Sequence, residues 1–193
     1  MNILKSDWDV ITIGGSVSGL LAAKGIAEAG FTVQLLEEDL EIGIPERCDG
    51  LVSMKCLETI GIAPTNRVIQ NIIKRAILYS PSGLTIELDA SRQRVLVLNR
   101  SQFDRELAKI ASRSGVDIKV GNRVTNKIEK DGKVRVESKS DIQTAKWVVN
   151  AAGCSSLPDK NKTLQAAKFE VIGNWFDRAR IEIYFNQIKS PGY

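Results

Sequence analysis

The chain has 193 residues, 43% hydrophobic and 26% charged, values ordinary for a globular protein and enough for one large domain, or one domain and part of another. No run approaches the ~18 consecutive apolar residues of a membrane span, and the net charge of +4 is dilute apart from a mildly basic stretch between Lys119 and Lys146, so neither a transmembrane helix nor a nucleic-acid footprint is indicated. There is no histidine, which excludes Ser-His-Asp and Cys-His hydrolases, histidine-ligated metals and imidazole proton shuttles within this chain.

Trp8–Ile13 (WDVITI) is a β-branched apolar run ending at glycines, the pattern of a buried parallel strand. Small and apolar residues over 17–29 predict a helix closed by Gly30, and 31–36 (FTVQLL) predicts a second strand ending on Glu37. The order strand, glycine turn, helix, strand, acid is one βαβ unit. Residues 38–49 read as a long polar loop, and Ser53 caps a short helix that ends at Gly61. Alternation around Pro81-Ser82-Gly83, with Ile77 and Tyr79 before it and Ile86 and Leu88 after it, predicts a hairpin. Residues 95–98 read as a strand. Ser101 with Asp104 resembles a capping box, and Phe103, Leu107, Ile110 and Ala111 share one helical face as far as Gly115. Further strands are expected at 116–120 and 146–150, with a hairpin at Asp131-Gly132. Residues 157–163 read as a polar link between domains, and 170–176 and 180–185 as paired strands of a second sheet, with Ile181, Ile183 and Phe185 on one face.

The chemistry concentrates in IGGSVSG. Gly14, Ser16 and Gly19 occupy the spacing of a dinucleotide turn, in which the first glycine makes the turn, the second admits a pyrophosphate and the third lets helix and strand pack closely. The backbone of Gly14, Gly15, Ser16, Val17, Ser18 and Gly19 would face the diphosphate at a helix N-terminus. Glu37, with Glu38 beside it, is placed to accept from ribose hydroxyls. Ser16 replaces the middle glycine: its β-carbon crowds the approach, or its hydroxyl donates to a phosphate oxygen. The simpler alternative is a glycine-rich turn in an ordinary α/β protein.

Cys48, Cys56 and Cys154 are odd in number and lack a C-x-x-C pattern, which argues against a disulfide framework or zinc site, and no metal is expected. The N-terminal MNILKSDWDV has no cleavable apolar segment, so the expected location is cytoplasmic, with peripheral membrane contact left open.

Several stretches resemble the geranylgeranyl reductase group of the glutathione-reductase-type FAD proteins, a fold shared with p-hydroxybenzoate hydroxylase-like proteins. LLEEDLEIGIPERCDGLVS resembles the group's strand-end glutamate followed by E-I-G-x-P-x-R-C. Leu98-Asn99-Arg100 with Phe103-Asp104 resembles its L-x-R-x-x-F-D segment, VVNAAGCSS its A-D-G-x-x-S strand end, and the terminal SPGY the start of P-G-x-Y-x-W. Ser16, Asp49 and Ala152 depart from the group's usual glycine, glycine and aspartate.

The resemblance implies a Rossmann-like α/β FAD-binding domain over 1–160, with a parallel sheet, a β-meander and an inserted hairpin around 68–98, and then the truncated beginning of an antiparallel substrate domain over 161–193. It implies FAD as cofactor, with Arg47, Cys48, Arg100, Val124, Ala152 and Gly153 joining the glycine turn and the two glutamates around it. Cys48 would be catalytic, close to the flavin ring, as a partial thiolate beside Arg47 or as proton donor to the reacting carbon. The implied reaction is reduction of isoprenoid C=C bonds in membrane lipids, with reducing equivalents from an external NAD(P)H or ferredoxin-like donor and no nucleic-acid partner. A flavin monooxygenase or halogenase, a non-catalytic nucleotide-binding module and an S-adenosylmethionine methyltransferase remain alternatives, the last leaving P-x-R-C unexplained. No G-D segment follows Gly153, so the chain is expected to be a fragment or truncated product that holds the ADP portion weakly and has no turnover alone.

Overall fold

The computed structural model describes residues 7–139, 141–156 and 167–185. In chain order these form β1 (Trp8–Ile13), α1 (Val17–Glu28), β2 (Val33–Leu36), β3 (Leu51–Ser53), α2 (Met54–Thr59), β4 (Ile69–Ile73), β5 (Arg75–Tyr79), β6 (Thr85–Asp89), β7 (Val95–Leu98), α3 (Arg100–Arg113), β8 (Asp117–Lys119), β9 (Val124–Lys130), β10 (Lys133–Ser138), β11 (Ile142–Asn150) and β12 (Arg180–Tyr184). They divide into two compact units, one from Met1–Glu46 and Ser101–Thr163, the other from Arg47–Arg100 and Leu164–Tyr193.

The first unit is built on a sheet ordered β8-β2-β1-β11-β10-β9. Strands β8, β2, β1 and β11 run parallel, and β11, β10 and β9 form an antiparallel meander. Every residue of β2 is buried, as expected for a parallel strand covered on both faces. Helix α1 packs against β1 and β2 through Gly19, Leu20 and Ala23, of which Gly19 and Ala23 are small enough to bring the helix close. The meander contributes Val136 and Ala145 to a core with Ile11, Ile13 and Leu36. β11 is longer than 146–150 because its first half serves the meander and its second half the parallel sheet, Ala145 pairing with both Val134 and Trp8. At the meander's turn Asp131 and Gly132 both take positive φ, 53° and 70°, as a two-residue hairpin of this twist demands.

In the second unit β3, β7 and β4 form an antiparallel sheet, and β12, β5 and β6 form another. The expected hairpin around residue 82 is β5–β6, and Ser53 accepts from the Cys56 amide at 3.2 Å to cap α2. Two expectations fail. Residues 170–176 do not form a strand: β12 instead runs parallel to β5, which takes the edge that 170–176 was to occupy. Helix α3 begins at Arg100 rather than after Ser101, so Ser101 lies inside the helix, and the Asp104 carboxylate accepts from the Ser16 hydroxyl. The expected link at 157–163 and the SPGY terminus lie outside the described residues.

Candidate cofactor site

Within the first unit the C-terminal ends of β1, β2 and β11 meet the N-terminus of α1, the crevice at which open α/β sheets take ligands. Gly14 has φ +106°, and a β-carbon there would strike the carbonyl of Ala151, just past the end of β11. Its N–H donates to Leu36 O at 2.8 Å, and Ala151 N–H to Ile13 O at 2.8 Å, so the turn is fastened to both neighbouring strands. A β-carbon on Gly19 would collide with the carbonyl of Gly14, the close helix-to-turn approach expected of the third glycine. The outer glycines of the motif are thus required by the protein's own backbone.

Ser16 is extended, φ −90° and ψ −175°, a conformation any residue adopts, so a glycine there would serve only to make space for a ligand. Its side chain makes no cap to α1; the hydroxyl donates to Asp104 Oδ2 on α3 at 3.3 Å. Asp104 is 4% exposed. Sequence reading missed this role, although a carboxylate on the apolar face of Phe103 and Leu107 was a signal for it. The amides of Val17, Ser18 and Gly19 have no partner among the described residues, and the first turn of α1 carries no acidic side chain. Free N–H groups at the positive end of a 12-residue helix are an anion seat.

Glu37 is half-buried at the end of β2, where Oε2 accepts from the Gly15 amide at 2.5 Å and Oε1 from the Asp39 amide at 2.9 Å. Its carboxylate is thereby fixed at the mouth of the glycine turn. Glu38 points elsewhere and pairs with Arg123 at 3.6 Å. Val124 opens β9, while Ala152 and Gly153, the latter at φ +68°, follow β11 on the same side of the sheet as the turn. Asp9 at the far end of β1 is held down to about pKa 2, first by the hydrogen bond from Lys146 Nζ at 2.6 Å and then by the amide and hydroxyl of Thr32.

Arg47, Cys48 and Arg100 belong to the second unit. Cys48 is exposed; its Sγ accepts from the Gly50 amide at 3.5 Å and its carbonyl from Lys168 Nζ at 3.3 Å. Gly50, at φ +77°, accepts from the Leu98 amide at 2.9 Å, and the Leu98 carbonyl leaves no room for a β-carbon there. The Cys48 loop is therefore anchored two residues ahead of Arg100.

Residues 7–188 match the FAD binding domain family. The chain belongs to that family. The site fits the cofactor: the unpaired amides of Val17, Ser18 and Gly19 suit a diphosphate, and Glu37 supplies an acceptor beside them. The chain is also similar to digeranylgeranylglycerophospholipid reductases, 41% identical over 209 residues to that of Methanoculleus marisnigri and 29% over 201 residues to reductase 1 of Methanopyrus kandleri. These alignments take in 98% and 96% of the chain but 52% and 53% of those relatives, so the chain spans about half the length of the curated relatives it matches. Among solved structures, a geranylgeranyl bacteriochlorophyll reductase-like protein from Thermoplasma acidophilum superposes with a TM-score of 0.73 at 26% identity, covering 93% of this chain and 50% of that one. The halogenase PltM, at 15% identity and a TM-score of 0.59 over 75% of this chain and 34% of its own, shares the fold.

Proposed function

We propose that the chain forms the cofactor-binding part of an FAD-dependent reductase of geranylgeranyl chains on glycerophospholipids. The observation that carries this reading is the 41% match to such a reductase over 98% of the chain. When bound and reduced, FAD would supply the hydride for an isolated C=C bond. The chain's own residues do the rest: the amides of Val17, Ser18 and Gly19 hold the diphosphate and Glu37 accepts from the ribose. Arg47, Arg100, Val124, Ala152 and Gly153 complete the cofactor's surroundings, and Cys48 donates the proton that completes the addition. An NAD(P)H- or ferredoxin-like donor renews the reducing equivalents. Cofactor binding falls to 1–160 and substrate binding begins beyond it, joined by the inserted 68–98 segment, since β5 pairs with β12. Among the described residues no helix is long and apolar enough to cross a membrane, and the proposed setting is cytoplasmic with peripheral contact to the lipid surface.

The test places this chain in a polypeptide of its relatives' length, loads it with FAD, reduces it with dithionite and follows digeranylgeranylglycerophospholipid by mass spectrometry. The expected product gains one hydrogen molecule per reduced double bond. Glu37→Ala should weaken FAD binding by roughly tenfold or more, the worth of hydrogen bonds to a charged acceptor. An oxygenated product, or FAD affinity indifferent to Glu37, would overturn the reading.

A further inference from the structure

The sheet of β12, β5 and β6 has two unlike faces. Its register places Ile181, Ala76 and Leu88 in one row across the strands and Ile183, Leu78 and Ile86 in the next, all on one side. The other side carries Arg75, Glu87 and Glu182 with the stacked Tyr79–Tyr184 pair, whose ring centroids are 4.3 Å apart. The two apolar rows lie about 7 Å apart along the strands and span about 10 Å across them. It is not sealed by the unit's own side chains: Ile86 is 56% exposed and Leu88 46%.

At its Ile181 end this face runs into a pocket of about 510 Å³ that Ile181 shares with Ile73, Val97 and Phe176. The charged groups of the pocket are Asp177, Arg178 and Arg180. Asp177 is neutralised by Arg75 at 2.6 Å and Arg180 by Glu182 at 2.7 Å. Arg178 is tethered through its backbone carbonyl, which accepts from Asn71 Nδ2, while its guanidinium has no carboxylate partner among the described residues. Arg178, without a carboxylate partner among the described residues, thus lines the pocket at the Ile181 end of an apolar strip, a combination fitted to an amphiphile with an anionic head.

We propose that this pocket and strip bind one phosphate-headed isoprenoid chain, with the phosphate on Arg178 and the tail laid over Ile181, Ile183, Leu78 and Ile86. The inference rests on the lipid-reductase reading and assigns the substrate's head and tail to named residues. Arg178 is a specificity-determining residue: it selects charged over neutral isoprenoids. A bidentate guanidinium–phosphate contact is worth roughly a tenfold preference or more.

The experiment titrates the 193-residue chain with geranylgeranyl phosphate, geranylgeraniol and inorganic phosphate, each below its aggregation concentration, reading the fluorescence of Trp175, with Trp8 and Trp147 replaced by Phe. The phosphate ester should bind roughly tenfold tighter than the alcohol, and inorganic phosphate should not saturate the signal. Arg178→Glu should erase the preference without changing alcohol affinity, Arg178→Lys should keep most of it, and Ile183→Asp should weaken ester and alcohol alike. Equal affinity for ester and alcohol, a preference that survives Arg178→Glu, or phosphate binding as tight as the ester would overturn the proposal. FAD affinity is measured on the same protein by flavin fluorescence. Lipid binding absent with FAD bound overturns this inference alone, whereas FAD binding absent with lipid bound overturns the cofactor reading alone.

Discussion

At position 16 a serine stands where the dinucleotide turn ordinarily has its second glycine, and its hydroxyl is committed to the buried Asp104 carboxylate at 3.3 Å. That commitment separates two effects which the sequence leaves joined. Ser16→Ala keeps the β-carbon and removes a donor from a buried carboxylate, so it should lower the unfolding free energy by about 0.5–1.5 kcal/mol while leaving FAD affinity nearly unchanged. Ser16→Gly also removes the β-carbon, so it should lower stability similarly and tighten FAD. Denaturant titration and flavin fluorescence of both variants decide it. Ser16→Ala that weakens FAD tenfold at unchanged stability would turn the hydroxyl back toward the diphosphate. The Gly-x-Ser-x-x-Gly spacing was legible because its contacts lie within the segment itself; Asp104, 88 residues away, was not.

Two glycines of the first βαβ unit, three elements long, should respond to alanine with opposite signs. Gly14 is held at φ +106° against the Ala151 carbonyl, so Gly14→Ala carries both backbone strain and a clash, of order 1–3 kcal/mol, and should loosen the junction between β1 and β11. Gly25 lies inside α1, and a β-carbon there would have no atom within 4 Å, so Gly25→Ala should stabilise by roughly 0.5–1 kcal/mol through helix propensity alone. Thermal melts of the two variants check the contrast, and a stabilising Gly14→Ala would mean that the turn is not built as described. At this scale the sequence spoke clearly wherever an element and its partner are close in the chain: β1, α1 and β2, the Asp131-Gly132 hairpin and the capped α2 were all readable. The pairing of β12 with β5 joins Arg180 to Arg75, and no local pattern encodes which of two apolar runs a strand will choose. For the same reason 170–176 has an apolar, strand-like pattern without forming a strand.

Across the whole molecule the titrating groups with resolved shifts set a pH window. In the first unit Asp9 is lowered to about 2 by Lys146 and then Thr32, Glu28 is lowered chiefly by Lys24, and Asp141 chiefly by Gln143. In the second, Asp177 is lowered by the Ala179 amide and then Arg75, and Asp89 by Ser91. A carboxyl whose folded pKa lies below its unfolded value contributes stability that is present above the unfolded value and lost as pH falls through the folded one. Acid should therefore weaken both units, and for Asp9 the loss falls between its ordinary 3.8 and about 2. Tyr184 works in the other direction. Its hydroxyl donates to Glu182 at 2.6 Å, which, with partial desolvation and the Glu182 charge, pushes it up to about 12, so its contribution is complete below 10 and lost as pH rises toward 12. Only the second unit holds such a group among the described residues. All these side chains are solvent-accessible, so the effects are modest and shrink with added salt. Melting temperature against pH should show a plateau between the carboxyl and tyrosine limits. Asp9→Asn should lower the plateau and flatten its acid edge, and Tyr184→Phe should flatten the alkaline edge while leaving the acid edge in place. An alkaline edge unchanged by Tyr184→Phe would separate Tyr184 from the stability of the second unit.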